Sequence, residues 1–101
     1  MHQLFGMGWG LMEELVRENG ITLNDSFMDY KIPTMMDVPP ITTFFVETID
    51  PYGPYGAKGL GESTVVPMAP ALANAVSDAI GARVYTLPLT PDKILKALGK
   101  I

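Results

Sequence analysis

With 101 residues, 48% of them hydrophobic, the chain has material for one small domain with a single core and not for two. A formal net charge of −4, with seven basic residues scattered along the chain, leaves no positive stripe for nucleic-acid binding by counterion release. The absence of cysteine excludes a disulfide, a thiolate nucleophile and an iron–sulfur or zinc thiolate site carried by this chain, and no apolar run approaches the ~20 residues that span a bilayer.

From Leu4 to Glu18 the residues Phe5, Trp9, Met12 and Val16, flanked by Leu4, Leu11 and Leu15, fall at the spacing of an amphipathic helix, with Asn19-Gly20 as a stop. Gly6, Gly8 and Gly10 weaken that helix by roughly 1 kcal/mol each relative to alanine. They read either as a frayed first turn or as a close approach of the backbone to a ligand or another chain. The stretch also lacks the basic start of a signal peptide and runs into Glu13, Glu14 and Arg17, so a soluble, cytoplasmic protein is expected. His2 alone is too little for a metal site.

Residues 21–27 suggest a short strand, and the prolines at 33, 39 and 40 impose an extended linker after it. Ile41 to Ile49 alternates Ile41, Thr43, Phe45 and Glu47 with Thr42, Phe44, Val46 and Thr48, all but Glu47 good β-formers, which predicts the most secure strand. Asp50 to Ser63, rich in glycine, proline and tyrosine, is a long loop of the kind that often carries function. The stripe Ala69, Leu72, Ala73, Val76, Ala79 and Ile80, ended by Gly81, predicts a second helix. A short strand over 83–87 precedes Thr90-Pro91-Asp92, whose N-cap, first-turn proline and first-turn acid open a last helix to about Leu98. The expected fold is α+β, about three helices packed on a small mixed sheet.

The loop Gly56-Ala57-Lys58-Gly59-Leu60-Gly61-Glu62-Ser63 holds the chemistry. It fits the phosphate-loop pattern G-x-x-x-x-G-K-S/T except that Glu62 replaces the lysine, and that reversal of charge would repel a nucleotide. Lys58 and Glu62 fit a solvated glycine turn as well. The apolar run Val65-Val66-Pro67-Met68 behind Glu62 instead suggests a carboxylate held at the mouth of a pocket, with a backbone that a large planar ligand can approach.

Segments along nearly the whole chain, in order, resemble the molybdopterin-containing hydroxylases, the family of xanthine dehydrogenase and aldehyde oxidoreductase. These are Gly6-Met7-Gly8-Trp9-Gly10 through Glu13-Glu14-Leu15, Asn24-Asp25-Ser26-Phe27-Met28-Asp29-Tyr30-Lys31-Ile32-Pro33-Thr34, and Asp37-Val38-Pro39. Gly53 to Glu62, Asn74 to Gly81, and Leu87 to Ile94 complete the series. The resemblance implies a C-terminal portion of the molybdopterin-binding domain, with Glu62 as the general base acting on a molybdenum-bound hydroxyl. The implied reaction hydroxylates an N-heterocycle or an aldehyde with water as the oxygen source. Lys58, Gly59 and Gly61 are candidates for contact with the pterin. A cofactor-contacting glutamine of the family corresponds by register to Phe5, or else Gln3 serves from a shifted position.

The resemblance further implies a molybdenum–molybdopterin cofactor shared with residues outside this chain, and iron–sulfur clusters and FAD on other subunits. The expected partners are the rest of the molybdopterin-binding subunit and the iron–sulfur and flavin subunits, in an oligomer with no nucleic acid and no membrane. Three origins fit, namely a natural small subunit, a fragment, or a relic without a partner. The opposing reading is a stand-alone interaction module that keeps the fold and has lost catalysis. A fragment removed from its parent should expose apolar faces, and Phe5, Met7 and Trp9 in the first helix fit that expectation.

Overall fold

The structure, a computed structural model, describes residues 2–101. Its elements are α1 (His2–Leu11), a two-stranded hairpin β1 (Arg17–Glu18) and β2 (Ile21–Thr22), α2 (Met68–Ile80) and α3 (Pro91–Ala97). Single 3-10 turns occur at Met35–Asp37, Pro54–Gly56 and Glu62–Thr64.

α1 and α2 pack against each other, and the glycines of α1 explain how. Gly6 and Gly10, one turn apart, share a helix face. A Cβ on Gly6 would fall on the Cβ of Met68, and one on Gly10 would stand 2.8 Å from Leu72 Cδ1. Gly6 and Gly10 therefore mark a close approach between two helices of the same chain. Gly8 lies off that face, against Glu13 and Pro33. Met7, expected to be exposed, is one of two buried hydrophobic residues among those described and the other is Leu89, while Phe5 and Trp9 are indeed about half exposed.

α1 stops at Leu11, seven residues short of the periodicity's end. The carbonyl of Gly8 accepts from both Met12 N (2.9 Å) and Glu13 N (2.8 Å), which closes the helix. Beyond it the chain is fixed by side chains. Asn24 accepts from Val16 N at 2.9 Å and donates to the Glu14 carbonyl at 2.6 Å. Tyr30 donates to Glu13 at 2.7 Å, and Lys93 pairs with Glu14 at 3.0 Å. Asn19-Gly20 is not a helix stop. Both residues have positive φ (49° and 83°), and they form the two-residue turn that pairs Arg17 with Thr22 and Glu18 with Ile21.

The two C-terminal helices follow their local signals. α2 has Met68, Ala69, Leu72, Ala73, Val76 and Ile80 half-buried and ends at Gly81 in the left-handed conformation. α3 begins at Pro91 after an extended Thr90. A hydrogen bond of 2.7 Å from Leu89 N to the Gly10 carbonyl attaches the segment before α3 to the end of α1.

The strands depart from expectation. Of residues 21–27 only Ile21 and Thr22 form a strand, and neither 41–49 nor 83–87 forms one. The sheet is antiparallel rather than mixed and has two strands of two residues each. Within residues 41–49, Phe44, Phe45, Val46 and Ile49 are each more than three-quarters exposed, so the side chains that would stabilise a strand have nothing in this chain to pack on. The radius of gyration, 17.3 Å, exceeds the ~13 Å typical of a compact domain of this length. The described residues thus do not enclose a core of their own.

Candidate active site at the contact of α1 with the Glu62 turn

Glu62 opens a single 3-10 turn that runs almost directly into α2, with Val65 N donating to its carbonyl at 3.0 Å. That short connection holds Val65, Val66 and Ala69 beside the carboxylate. The opposite wall comes from α1, where Phe5 and Trp9, four residues apart, project from one face. Together these six residues line a cleft of about 600 Å³. Glu62 itself is exposed and, among the described residues, has no hydrogen-bond or ion-pair partner. The arrangement is a free carboxylate at the rim of an apolar, partly aromatic cleft, which can accept a proton from a flat or apolar molecule lodged there.

The other residues singled out by sequence lie elsewhere. Lys58 donates to Thr48 Oγ1 at 2.6 Å and, with Gly59, lines a second groove of about 890 Å³ beside Phe45, Val46, Ile49 and Leu60. Gly61 directly precedes the Glu62 turn, and a Cβ on Gly59 or Gly61 would meet nothing within 4 Å. Gln3 lines a third cleft, of about 260 Å³, with Leu4, Met7, Pro40, Ile41 and Met68. The structure therefore brings Phe5, not Gln3, to the Glu62 cleft.

Sequence reasoning did not identify Phe5 and Trp9 as walls of the Glu62 cleft. Their i, i+4 spacing was visible, but the element they would face was not.

Acidic side chains fasten the frame around this cleft. Glu13 receives the Tyr30 hydroxyl, and that hydrogen bond, helped by desolvation and the carboxylate's charge, raises the phenol pKa above its usual 10.0. Asp37 accepts from Thr34 N at 2.8 Å and Thr34 Oγ1 at 2.7 Å, and these two bonds lower its pKa below the usual 3.8. Among the described residues no three His, Cys, Asp or Glu side chains converge as a metal-ligand set, and no helix is long and apolar enough to cross a membrane.

Comparison with known proteins gives a consistent picture. The family described as the molybdopterin cofactor-binding domain matches residues 4–39. A putative xanthine dehydrogenase molybdenum-binding subunit of Escherichia coli (strain K12) is 44% identical over 91 residues, covering 88% of this chain and 12% of that protein. The 6-hydroxypseudooxynicotine dehydrogenase complex subunit gamma of Paenarthrobacter nicotinovorans is 42% identical over 93 residues, again 88% of this chain and 12% of that protein. The crystal structure of quinoline 2-oxidoreductase from Pseudomonas putida 86 superposes with a TM-score of 0.89 at 32% identity, covering 98% of this chain and 13% of that one. The chain thus spans about an eighth of the length of these relatives.

Proposed function

From the premise that this chain belongs to the molybdenum hydroxylase family, in its molybdopterin-binding part, we propose that it contributes the general base to a hydroxylase oxidising an N-heterocycle or an aldehyde. The observation that carries the proposal is the unpaired Glu62 carboxylate at the rim of the Phe5–Trp9 cleft. The residues present fit a molybdopterin cofactor in two respects. Open space beside Gly59 and Gly61 leaves the backbone near Glu62 accessible to a large planar group. The cleft brings a proton acceptor but no converging ligand set among the described residues, which suits a metal held by its own organic ligand.

When bound, that cofactor supplies the redox chemistry, with water as the source of oxygen. Glu62 takes up the proton released as the oxygen nucleophile forms. The rings of Phe5 and Trp9 lie flat against the substrate, orient its reacting carbon and limit access of bulk water. The heterocycle class is favoured by the aromatic wall and by relatives named for xanthine and quinoline oxidation. Lys58 acts on the loop rather than on the substrate, through the bond that ties it to Thr48. The remainder of the molybdopterin-binding subunit, with iron–sulfur clusters and FAD on further subunits to receive the electrons, completes the assembly.

The test is Glu62→Gln in the assembled complex. Turnover should fall by ~10²–10⁴, the usual contribution of a general base, while molybdenum per chain is unchanged. Unaltered turnover would support the interaction-module reading instead.

A further inference from the structure

Phe5 stands between two clefts. In front of it lies the Glu62 cleft of about 600 Å³, and behind it a cleft of about 370 Å³ bounded by Ile32, Pro33, Met35 and Val38. Phe5 is the one residue that lines both, whereas Trp9, its neighbour on the same face of α1, lines the front cleft alone. The rear cleft has room for a ring, since an apolar cavity of about 150 Å³ is enough to take a benzene-sized molecule. Its lining is apolar apart from Glu13 and Thr34, and both are engaged, Glu13 by the Tyr30 hydroxyl and Thr34 by Asp37.

The backbone on either side of Phe5 is held in place. The Tyr30–Glu13 bond of 2.7 Å ties the rear wall to the end of α1, and the two bonds between Thr34 and Asp37 close the turn that carries Met35. α1 itself is set against α2 at the adjacent Gly6, where a Cβ would fall on that of Met68. With the surrounding backbone fixed, what separates the two clefts is the Phe5 ring.

We propose that Phe5 is a specificity-determining residue whose ring closes the rear of the Glu62 cleft and limits how far an N-heterocyclic substrate extends beyond its reacting ring. A smaller side chain at this position joins the two clefts and admits a heterocycle that carries a further aryl ring. That ring meets the apolar side chains of the rear cleft, while an anionic extension meets the charge of Glu13 and is repelled. Trp9 keeps its place against the reacting ring, because it has no part in the rear cleft. This inference rests on the N-heterocycle class in the proposed function and is independent of the role of Glu62 as base.

The experiment is equilibrium dialysis of the assembled molybdenum-containing complex carrying Glu62→Gln, without an electron acceptor, so that no probe is consumed. The probes are quinoline and 6-phenylquinoline. With Phe5 present the complex should bind quinoline the more tightly. Phe5→Ala should move the ratio of the two dissociation constants at least ~10-fold toward the phenyl compound, as burial of one more ring implies. Phe5→Leu should move it in the same direction by less, and carries the comparison if Phe5→Ala lowers molybdenum per chain. Adding Val38→Phe to either variant refills the rear cleft and should reverse most of the shift. An unchanged ratio in the Phe5 variants, with quinoline still bound, would overturn the proposal and leave the proposed function standing. A shift that survives Val38→Phe would also overturn it, by placing the phenyl ring elsewhere. Failure of both probes to bind would sink the heterocycle class and this inference together.

Discussion

Glu13 and Glu14, adjacent in sequence, anchor parts of the chain far from one another: Glu13 holds Tyr30, and Glu14 holds Lys93. Neither partner is recognisable from local pattern, and this is why the periodicity carries the first helix to Glu18 whereas α1 ends at Leu11. The position of Glu62 at a cleft was legible for the opposite reason, since its glycines and the apolar run behind it are neighbours in sequence. The two shifted groups of the frame titrate in opposite senses. Tyr30, with its pKa raised, adds stability that is present below the ordinary phenol value of 10.0 and is lost as pH rises through the higher folded value. Asp37, with its pKa lowered, adds stability that is present above 3.8 and is lost as pH falls through the lower folded value. Carboxyl NMR titration should find Asp37 below the usual 3.8, and Thr34→Ala, which removes the hydroxyl bond, should move it back toward that value.

Among the elements, α2 and α3 could be read directly because their signals are local: an apolar stripe closed by Gly81, and the sequence Thr90-Pro91-Asp92. The strand over 41–49 could not, because its signal describes a pairing, and among the described residues no backbone hydrogen bond pairs it. The α1–α2 contact lies between these cases, its glycines visible and their purpose hidden. It yields a graded prediction. Alanine at Gly6 gains roughly 1 kcal/mol of helix propensity but places its methyl against the Met68 Cβ, next to the backbone, so overpacking of ~1–3 kcal/mol should prevail. Alanine at Gly10 meets only the tip of the Leu72 side chain, which can turn aside. Denaturant unfolding of the complex should therefore show Gly6→Ala less stable than Gly10→Ala, and the reverse order would mean that the two helices separate more easily than their packing indicates.

At the scale of the molecule, two buried hydrophobic residues among those described and a radius of gyration of 17.3 Å mark a chain that presents its apolar side chains to whatever surrounds it. The composition, 48% hydrophobic, was a sound guide to class but suggested a self-sufficient core, because composition does not distinguish a core from an interface. The free chain should accordingly bind ANS, and Trp9, about half exposed, should emit at wavelengths close to those of tryptophan in water. On assembly the dye should be released and the emission should move to the blue. ANS binding that persists unchanged in the complex would place the covered surface elsewhere.

The bond from Leu89 to Gly10 and the Lys93–Glu14 pair give the last residues an influence out of proportion to their position. None of them lines the Glu62 cleft, yet they clasp the far end of the helix that carries Phe5 and Trp9. A proteolytic cut or premature stop just before Leu87 would leave every cleft residue in the chain and release the C-terminal end of the helix that forms its aromatic wall. Loss of activity from such a lesion would be a failure of fastening, with the chemical groups all still present.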